Sequence, residues 1–234
     1  KAGLALAGLN VADKVYDGTT AATLTGNASV QGFGADQVSL SGSGTATFAD
    51  KRAGINKAVV VGGYTLTGDD AGNYMILPSG GLTASISRAN LILTGLTALD
   101  KTYDGGTTAG LTGIVSVAPL GNDVVSVSGA GVGAFVDKNA GSAKSVTVSG
   151  YALAGADAAN YQLVMPGDLT ASIGKASVSV TGVSAVDKTY DGSTAAMLSG
   201  AAAVTGLGGD RISVGGAGTG VFADRNAGAG KAVT

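Results

Sequence analysis

The sequence predicts an all-β fold made of small β-sandwich modules of the immunoglobulin-like type in tandem, and three observations lead to this prediction. A long segment recurs along the chain, short runs of alternating apolar residues indicate strands, and glycine-rich clusters separate these runs at roughly 8–12-residue spacing. The chain has 234 residues with 41 Gly and only 3 Pro. Modules of the β-grasp type are the alternative architecture.

The repeat has an offset of 87 residues and needs no insertion or deletion. Its most visible element is a Tyr-Asp-Gly motif, present as Tyr16, Asp17 and Gly18, as Tyr103, Asp104 and Gly105, and as Tyr190, Asp191 and Gly192. We therefore predict three modules, at residues 1–87 (copy 1), 88–174 (copy 2) and 175–234 (copy 3), of which the third is shortened. We expect the chain to be a piece of a longer array in which more copies follow.

Each copy shows the two-residue period of strands. Val59 and Val61 alternate in one run, and Leu82, Ala84 and Ile86 alternate in another. No long segment with a 3.6-residue period occurs, and the chain lacks Glu, a strong helix former. We expect strands of about five residues with one short helical turn per copy.

That helical turn is predicted at a motif spelled Asp-x-Gly/Ala-x-Tyr. It occurs from Asp70 to Tyr74 and from Asp157 to Tyr161, each time between two apolar runs. The spelling is typical of the tyrosine corner of immunoglobulin-like sandwiches, in which the phenol bonds to upstream backbone. We interpret Asp70, Tyr74, Asp157 and Tyr161 as such corners.

Together, the Tyr-Asp-Gly motif with its preceding Asp-Lys, the segment Phe135 to Gly141 and the Asn-Tyr corner resemble the YDG-type repeat module and the related MBG repeats of bacterial surface proteins. The resemblance covers the whole chain. It implies a segment of a very large secreted adhesin, similar to the filamentous-haemagglutinin exoproteins of two-partner secretion, in which such modules form a stalk. Copy 1 departs from the pattern with Arg52, where the other copies have Asn139 and Asn226.

Composition excludes several functional classes. The chain has no Cys, His or Trp, and all sixteen acidic residues are Asp. Ligand sets for zinc, haem or iron–sulfur clusters, thiol nucleophiles and imidazole bases are therefore excluded. No nucleophile–base pair is spelled out, so we expect a protein that is not an enzyme and has no cofactor. Absence of Cys also suits a chain exported unfolded.

Charge and hydropathy argue against nucleic acid and membrane as partners. Net charge is -2, and the 14 Lys and Arg are spread along the chain rather than clustered. The longest uncharged stretches are broken by Gly and Pro119, so we expect no membrane insertion of this segment.

Three motifs allow a chemical role as an alternative to a structural one. Asp17 with Gly18 is interpreted as a tight turn, and Asp13 as an acceptor for backbone N–H groups, although calcium could bind at Asp13, Asp36 and Asp50. Lys14 or Lys57 could form an isopeptide bond with Asn73. Tyr16, Tyr103 and Tyr190 could form a ligand-stacking ladder, but we favour core anchors with tethered hydroxyls.

The expected function is a non-catalytic stalk that holds an adhesive region away from a bacterial cell, in cell adhesion or biofilm. Its expected partners are neighbouring modules of the same chain, while a host or matrix glycan or protein would bind other parts of the parent protein. The expected location is secreted or on the cell surface. The alternative is that the modules bind a glycan themselves through loops such as residues 32–36. This loop contains Phe33, an aromatic residue that does not recur at the equivalent positions of the other copies.

Overall fold

The computed structural model describes residues 1–78 and 80–234 and confirms the all-β prediction. Copy 1 contains strands β1 Ala2–Leu4, β2 Ala7–Val11, β3 Lys14–Val15, β4 Ala21–Ala22, β5 Leu24–Ser29, β6 Ser39–Ser41, β7 Thr45–Phe48, β8 Gly54–Gly62, β9 Thr65–Thr67, β10 Tyr74–Ile76 and β11 Thr83–Ser87.

Copy 2 contains β12 Ala89–Ile92, β13 Thr97–Ala98, β14 Lys101–Thr102, β15 Thr108–Ala109, β16 Leu111–Thr112, β17 Ser126–Phe135, β18 Gly141–Ala154, β19 Tyr161–Val164 and β20 Thr170–Gly174. Copy 3 contains β21 Thr181–Ala185, β22 Ala195–Ala196, β23 Leu198–Ala203 and β24 Gly220–Val221. One 3₁₀ turn precedes the corner tyrosine in copies 1 and 2, at Ala71–Asn73 and Ala158–Asn160, as predicted.

The chain forms two compact units, and copy 2 is divided between them. Unit 1 comprises Lys1–Thr97, Thr112–Val132 and Val148–Gly167, and unit 2 comprises Ala98–Leu111, Gly133–Thr147 and Asp168–Thr234. Unit 1 therefore contains all of copy 1 together with part of copy 2.

Unit 1 is built around a five-stranded sheet of copy 1 with the strand order β3-β11-β8-β7-β4. The pairs β4–β7, β7–β8 and β8–β11 are antiparallel, and the edge pair β3–β11 is parallel. Smaller pairs surround this sheet: β2–β5 and β6–β9 are antiparallel, whereas β1–β10 and β12–β19 are parallel.

The core of unit 1 contains residues of two copies. One face of the five-stranded sheet buries Phe48, Val59 and Ile86, at alternate positions of their strands as the two-residue period predicts. Leu91 and Tyr161, from copy 2, are buried in the same cluster. The joint between copy 1 and this part of copy 2 is thus part of a hydrophobic core.

Unit 2 repeats this sheet with residues of copy 2. Its strand order is β14-β20-β18-β17-β15, and its core buries Phe135, Val146 and Ile173, which stand 87 residues after the core positions of copy 1. Copy 3 adds the antiparallel pairs β21–β23 and β22–β24.

Within residues 1–78 and 80–234, no helix is long and apolar enough to cross a membrane.

The replacement of Ile86 by Ala tests the core of unit 1. Ile86 is 2% exposed, so Ile86→Ala should lower the free energy of unfolding by about 2–5 kcal/mol through lost apolar burial and a cavity. Ile55 is 83% exposed, and Ile55→Ala should change stability by less than about 0.5 kcal/mol. Equilibrium urea unfolding measures both, and equal effects would contradict the position of the core.

Candidate functional site

The carboxylate of Asp123 lies at the joint between copies 1 and 2 within unit 1. Its Oδ2 accepts hydrogen bonds from the hydroxyls of Tyr161 at 2.7 Å and Tyr16 at 2.6 Å, and its Oδ1 accepts one from the Lys51 ammonium at 2.8 Å. Tyr161 belongs to the same copy as Asp123, whereas Tyr16 and Lys51 belong to copy 1. One carboxylate, 5% exposed, thus holds side chains of two successive copies. We call this set of four residues the junction cluster.

Backbone contacts of copy 2 fix the position of Asp123. The N–H of Asp123 donates to the carbonyl of Leu120 at 3.1 Å and closes a turn, and the N–H of Leu120 donates to the Tyr161 hydroxyl at 2.9 Å. Tyr161 begins β19 and is 3% exposed. The phenol therefore ties the turn that carries Asp123 to a strand in the core.

Further contacts lie at the same joint, two of them between members of the junction cluster and one beside it. The ring of Tyr16 packs edge-on against that of Tyr161, with 5.3 Å between centroids and 77° between planes. Lys51 Nζ lies 5.9 Å from the Tyr16 ring centroid, within the range of a cation–π contact. Asn160, 4% exposed, accepts a hydrogen bond from the N–H of Ala53 at 3.0 Å.

Unit 2 contains equivalents of three of these four residues, in the same arrangement one repeat later. The carboxylate of Asp210, in copy 3, accepts hydrogen bonds from Tyr103 and Lys138, both in copy 2. Lys138 Nζ lies 6.0 Å from the Tyr103 ring centroid. The contact between successive copies therefore occurs twice in the chain with equivalent residues.

The contacts within the junction cluster shift the pKa values of its residues. Hydrogen bonds from Lys51, Tyr16 and Tyr161 lower the pKa of Asp123 to about 2. Burial, together with the bond to Asp123, raises the pKa of Tyr161 to about 12, and the bond to Asp123 also raises the pKa of Lys51. At neutral pH the cluster therefore holds an ionised carboxylate, a protonated lysine and two neutral phenols.

The Tyr-Asp-Gly motif forms a tight turn in which the aspartate caps the backbone. Asp17 Oδ1 accepts the N–H of Thr19 at 2.9 Å and the Lys14 ammonium at 2.8 Å. Gly18 has φ of +79°, a left-handed conformation that favours glycine. The same capping occurs at Asp104 and Asp191, with Gly105 at +81° and Gly192 at +76°.

The three motif tyrosines differ in environment. Tyr16 is 2% exposed and Tyr103 is half-buried, and each donates its hydroxyl to an aspartate of the next copy. Tyr190, in copy 3, is 63% exposed. Tyr16 thus matches the prediction of a core anchor with a tethered hydroxyl, whereas the exposed Tyr190 does not.

In each predicted tyrosine corner, the side chains of the aspartate and the tyrosine bind the same upstream loop. Tyr74 accepts the N–H of Phe33 at 3.0 Å and donates to Asp36 at 2.6 Å, while Asp70 accepts the N–H of Gln37 at 2.9 Å. In copy 2, Asp157 likewise accepts the N–H of Val124 at 2.9 Å. Each phenol therefore bonds to backbone 41 residues upstream.

The carboxylates considered as calcium ligands have separate partners. Asp13 accepts the N–H of Ser85 at 2.6 Å, and Asp50 accepts the Lys57 ammonium at 2.7 Å, while Asp36 bonds to Tyr74. Within the described parts of the chain, no three acidic side chains form a group that could hold a metal ion.

The lysines considered for an isopeptide bond are held by acceptors other than Asn73. Besides Asp17, the Lys14 ammonium contacts the carbonyl oxygens of Thr19 at 2.9 Å and Ala21 at 2.8 Å. Lys57 contacts Asp50. Asn73 itself is exposed.

The family model of the YDG domain matches the chain three times, over residues 1–81, 87–171 and 174–234. The chain belongs to the YDG domain family. This confirms the family resemblance inferred from the repeated motif. No match was found among curated proteins or among solved structures.

The sequence analysis missed the junction role of two repeat positions, one occupied by an aspartate and one by a lysine. Asp36, Asp123 and Asp210 recur in phase, as do Lys51 and Lys138, and their recurrence was the available signal. The sequence suggested Asp36 only as a possible calcium ligand and assigned no role to Asp123 or Asp210. The structure shows instead that Asp123 and Asp210 bind side chains of the preceding copy.

The replacement of Tyr16 by Phe tests the junction cluster. Tyr16→Phe removes one hydrogen bond to a buried carboxylate and should destabilise unit 1 by about 1.5–3 kcal/mol. Tyr190→Phe is the matched control, because this tyrosine has the same repeat position but is exposed. Urea unfolding, with hydrogen exchange to localise the effect, measures both. If both substitutions changed the free energy of unfolding by the same small amount, the result would contradict the junction role of Tyr16.

The lowered pKa of Asp123 predicts a pH-dependent contribution to stability. The folded pKa of about 2 lies below the usual value of ~3.9 for an unfolded chain. The contribution is therefore fully present above pH ~4 and is lost as the pH falls toward 2. The difference in thermal midpoint between the native chain and Asp123→Asn should shrink over this range.

The exposed Asp69 supplies the control for this pH profile. Asp69→Asn should follow the native chain at every pH, because its side chain takes no part in the junction cluster. A difference between the native chain and Asp123→Asn that stays constant from neutrality to pH ~2 would contradict the ionised junction.

Proposed function

We propose that this chain is a non-catalytic stalk segment of a large bacterial surface or secreted adhesin, in which YDG copies space an adhesive region away from the cell. The observation that carries the proposal is the junction cluster. Copies joined only by a flexible linker would need no buried carboxylate shared between them. A joint that includes core residues and a bridging carboxylate limits bending between neighbours.

The repetition of the junction supports a spacer role. Equivalent residues make it in unit 1 and in unit 2, so each added copy can dock on the previous one by the same contacts. In repeat proteins of this kind, length grows by simple addition and stability is the sum of copy and neighbour terms. A stalk uses both properties.

The chemistry of the aspartates supports a role outside catalysis. Lys51 and two phenols lower the pKa of Asp123, and Lys188 together with the backbone of Ser193 lowers the pKa of Asp191 to about 2. General acids instead have raised pKa values, near the working pH. These carboxylates act as permanent acceptors that hold loops in place.

Secretion agrees with the composition of the chain. An adhesin exported in unfolded form gains from the absence of cysteine, because a disulfide formed in an oxidising compartment would lock a partial fold. Stability then comes from the hydrophobic cores and the junction contacts.

Glycan binding by the copies themselves is the second candidate, and one exposed side chain favours it. Phe33 is 63% exposed at the tip of a loop, and its ring centroid lies 5.8 Å from that of Tyr74. The equivalent positions of the other copies are Leu120 and Leu207. Because this aromatic ring is present in one copy only, a binding site on it would not be a shared property of the array.

Small-angle scattering on chains with increasing numbers of complete YDG copies tests the stalk. The maximum dimension should rise by a constant increment per copy, because each junction repeats the same contacts. Chains in which every junction aspartate is Asn should show a shorter average length and a broader distribution. A compact particle, or an increment that falls with copy number, would contradict the proposal.

A glycan array separates the second candidate from the first. The stalk proposal expects no binding above that of a Phe33→Ala variant. Specific binding that this substitution abolishes would favour the loop around Phe33 as a ligand site.

A further inference from the structure

One asparagine of the chain lies in the tripeptide Asn-x-Ser/Thr, in which x is not Pro. The tripeptide is Asn27-Ala28-Ser29, and none of the other eight asparagines has Ser or Thr two positions later. It is the acceptor sequence for the transfer of a sugar to an asparagine amide. Because so short a motif also occurs by chance, its local structure decides whether Asn27 can act as an acceptor.

Asn27 lies at a β-bulge between β2 and β5. The register of the two strands changes between Ala7 and Leu9, so that Asn27 and Ala28 together stand opposite Gly8. A Cβ on Gly8 would collide with the backbone carbonyl of Asn27, so glycine permits this close approach of the two strands. A bulge interrupts the ladder and changes the direction in which a side chain leaves the strand.

The Asn27 side chain is accessible in this bulge. It is exposed, and its amide makes no hydrogen bond to the residues that the structure describes. β5 pairs with β2, and no other strand of the described parts of the chain pairs with β5. An enzyme that binds its acceptor as an extended segment can therefore reach the amide together with the backbone beside it.

The hydroxyl of Ser29, the second group of the acceptor tripeptide, is accessible as well. Ser29 is exposed and pairs with Ala7, whose side chain has no hydrogen-bonding group. In copy 2, by contrast, the hydroxyl of the equivalent Ser116 shares a hydrogen bond of 3.1 Å with that of Thr94. The copy that carries the tripeptide is thus also the one with an alanine opposite the serine.

The same close approach recurs in the other copies with different side chains. A Cβ on Gly95 would collide with the carbonyl of Ile114 in copy 2, and a Cβ on Gly182 would collide with that of Ala201 in copy 3. Ile114 is 90% exposed, so this position of the repeat faces solvent in copy 2 as well. A group attached to the side chain at this position therefore extends away from the core.

We propose that Asn27 is a glycosylation site that accepts a sugar from a diphosphate-activated donor. In the transfer, the amide nitrogen of Asn27 forms a bond to the anomeric carbon of the sugar. The bond from that carbon to the diphosphate breaks, the diphosphate leaves with the electron pair, and the amide proton passes to a base of the transferring enzyme. The chain supplies the acceptor and the enzyme supplies the catalyst, so this inference does not depend on the stalk function.

Incubation of the purified full chain with two classes of sugar transferase tests the proposal. One arm contains a soluble asparagine glycosyltransferase with UDP-glucose, and the other contains a membrane oligosaccharyltransferase with a lipid-linked oligosaccharide. The arms separate the two sources of an activated sugar. We expect one attachment per chain in at least one arm, and mass spectrometry of the peptides should place it on Asn27.

Substitutions within the tripeptide are the matched controls. Asn27→Gln removes the acceptor amide, and Ser29→Ala removes the hydroxyl while it leaves the asparagine in place. Both should abolish the attachment, whereas Ser29→Thr should retain it, because Ser and Thr both complete the acceptor sequence. Asn27 and Ser29 are exposed, so all three variants should keep the thermal midpoint of the native chain.

Copy 2 supplies a test of the bulge itself. Ile114→Asn creates the acceptor tripeptide with Ser116 at the equivalent position of the repeat. Combined with Thr94→Ala, which releases the Ser116 hydroxyl, this substitution should add a second attachment per chain. Ile114→Asn alone should be modified more slowly, because Thr94 holds that hydroxyl.

Two results would overturn the proposal: no attachment to the native chain in either arm, or an attachment that Asn27→Gln does not remove. If Asn27 accepted a sugar and the doubly substituted copy 2 did not, the result would contradict the role given to the bulge.

Discussion

The structure depends on a carboxylate that neither of two successive copies can satisfy alone. A charge taken out of water costs several kcal/mol unless it is paired and hydrogen-bonded. Asp123, 5% exposed, receives one partner from its own copy, Tyr161, and two from the preceding copy, Tyr16 and Lys51. The two copies are therefore coupled, because their separation would leave a charge with incomplete partners.

The hydrophobic core of unit 1 also couples the two copies. Leu91 and Tyr161 of copy 2 are buried with Phe48 and Ile86 of copy 1, so the unit that buries apolar surface is larger than one repeat. In a linear array, this makes the interface between neighbours a substantial part of the stability of each copy. In the proposed stalk, this interface would supply both stiffness and stability.

The sequence by itself determined the all-β class, the period of 87 residues, the alternating core positions such as Val59 and Val61, and the glycine turn after Asp17. The repeat period follows from comparing the copies with one another. The other properties depend on contacts within a few residues or on strand periodicity, so a single copy reveals them. The tertiary structure alone decided which aspartates Tyr16 and Tyr103 bind. Asp36 and Asp123 have the same repeat position, so in the sequence they are equivalent partners for Tyr16. Only the packing of copy 2 on copy 1 brings Asp123, 107 residues away, to its hydroxyl.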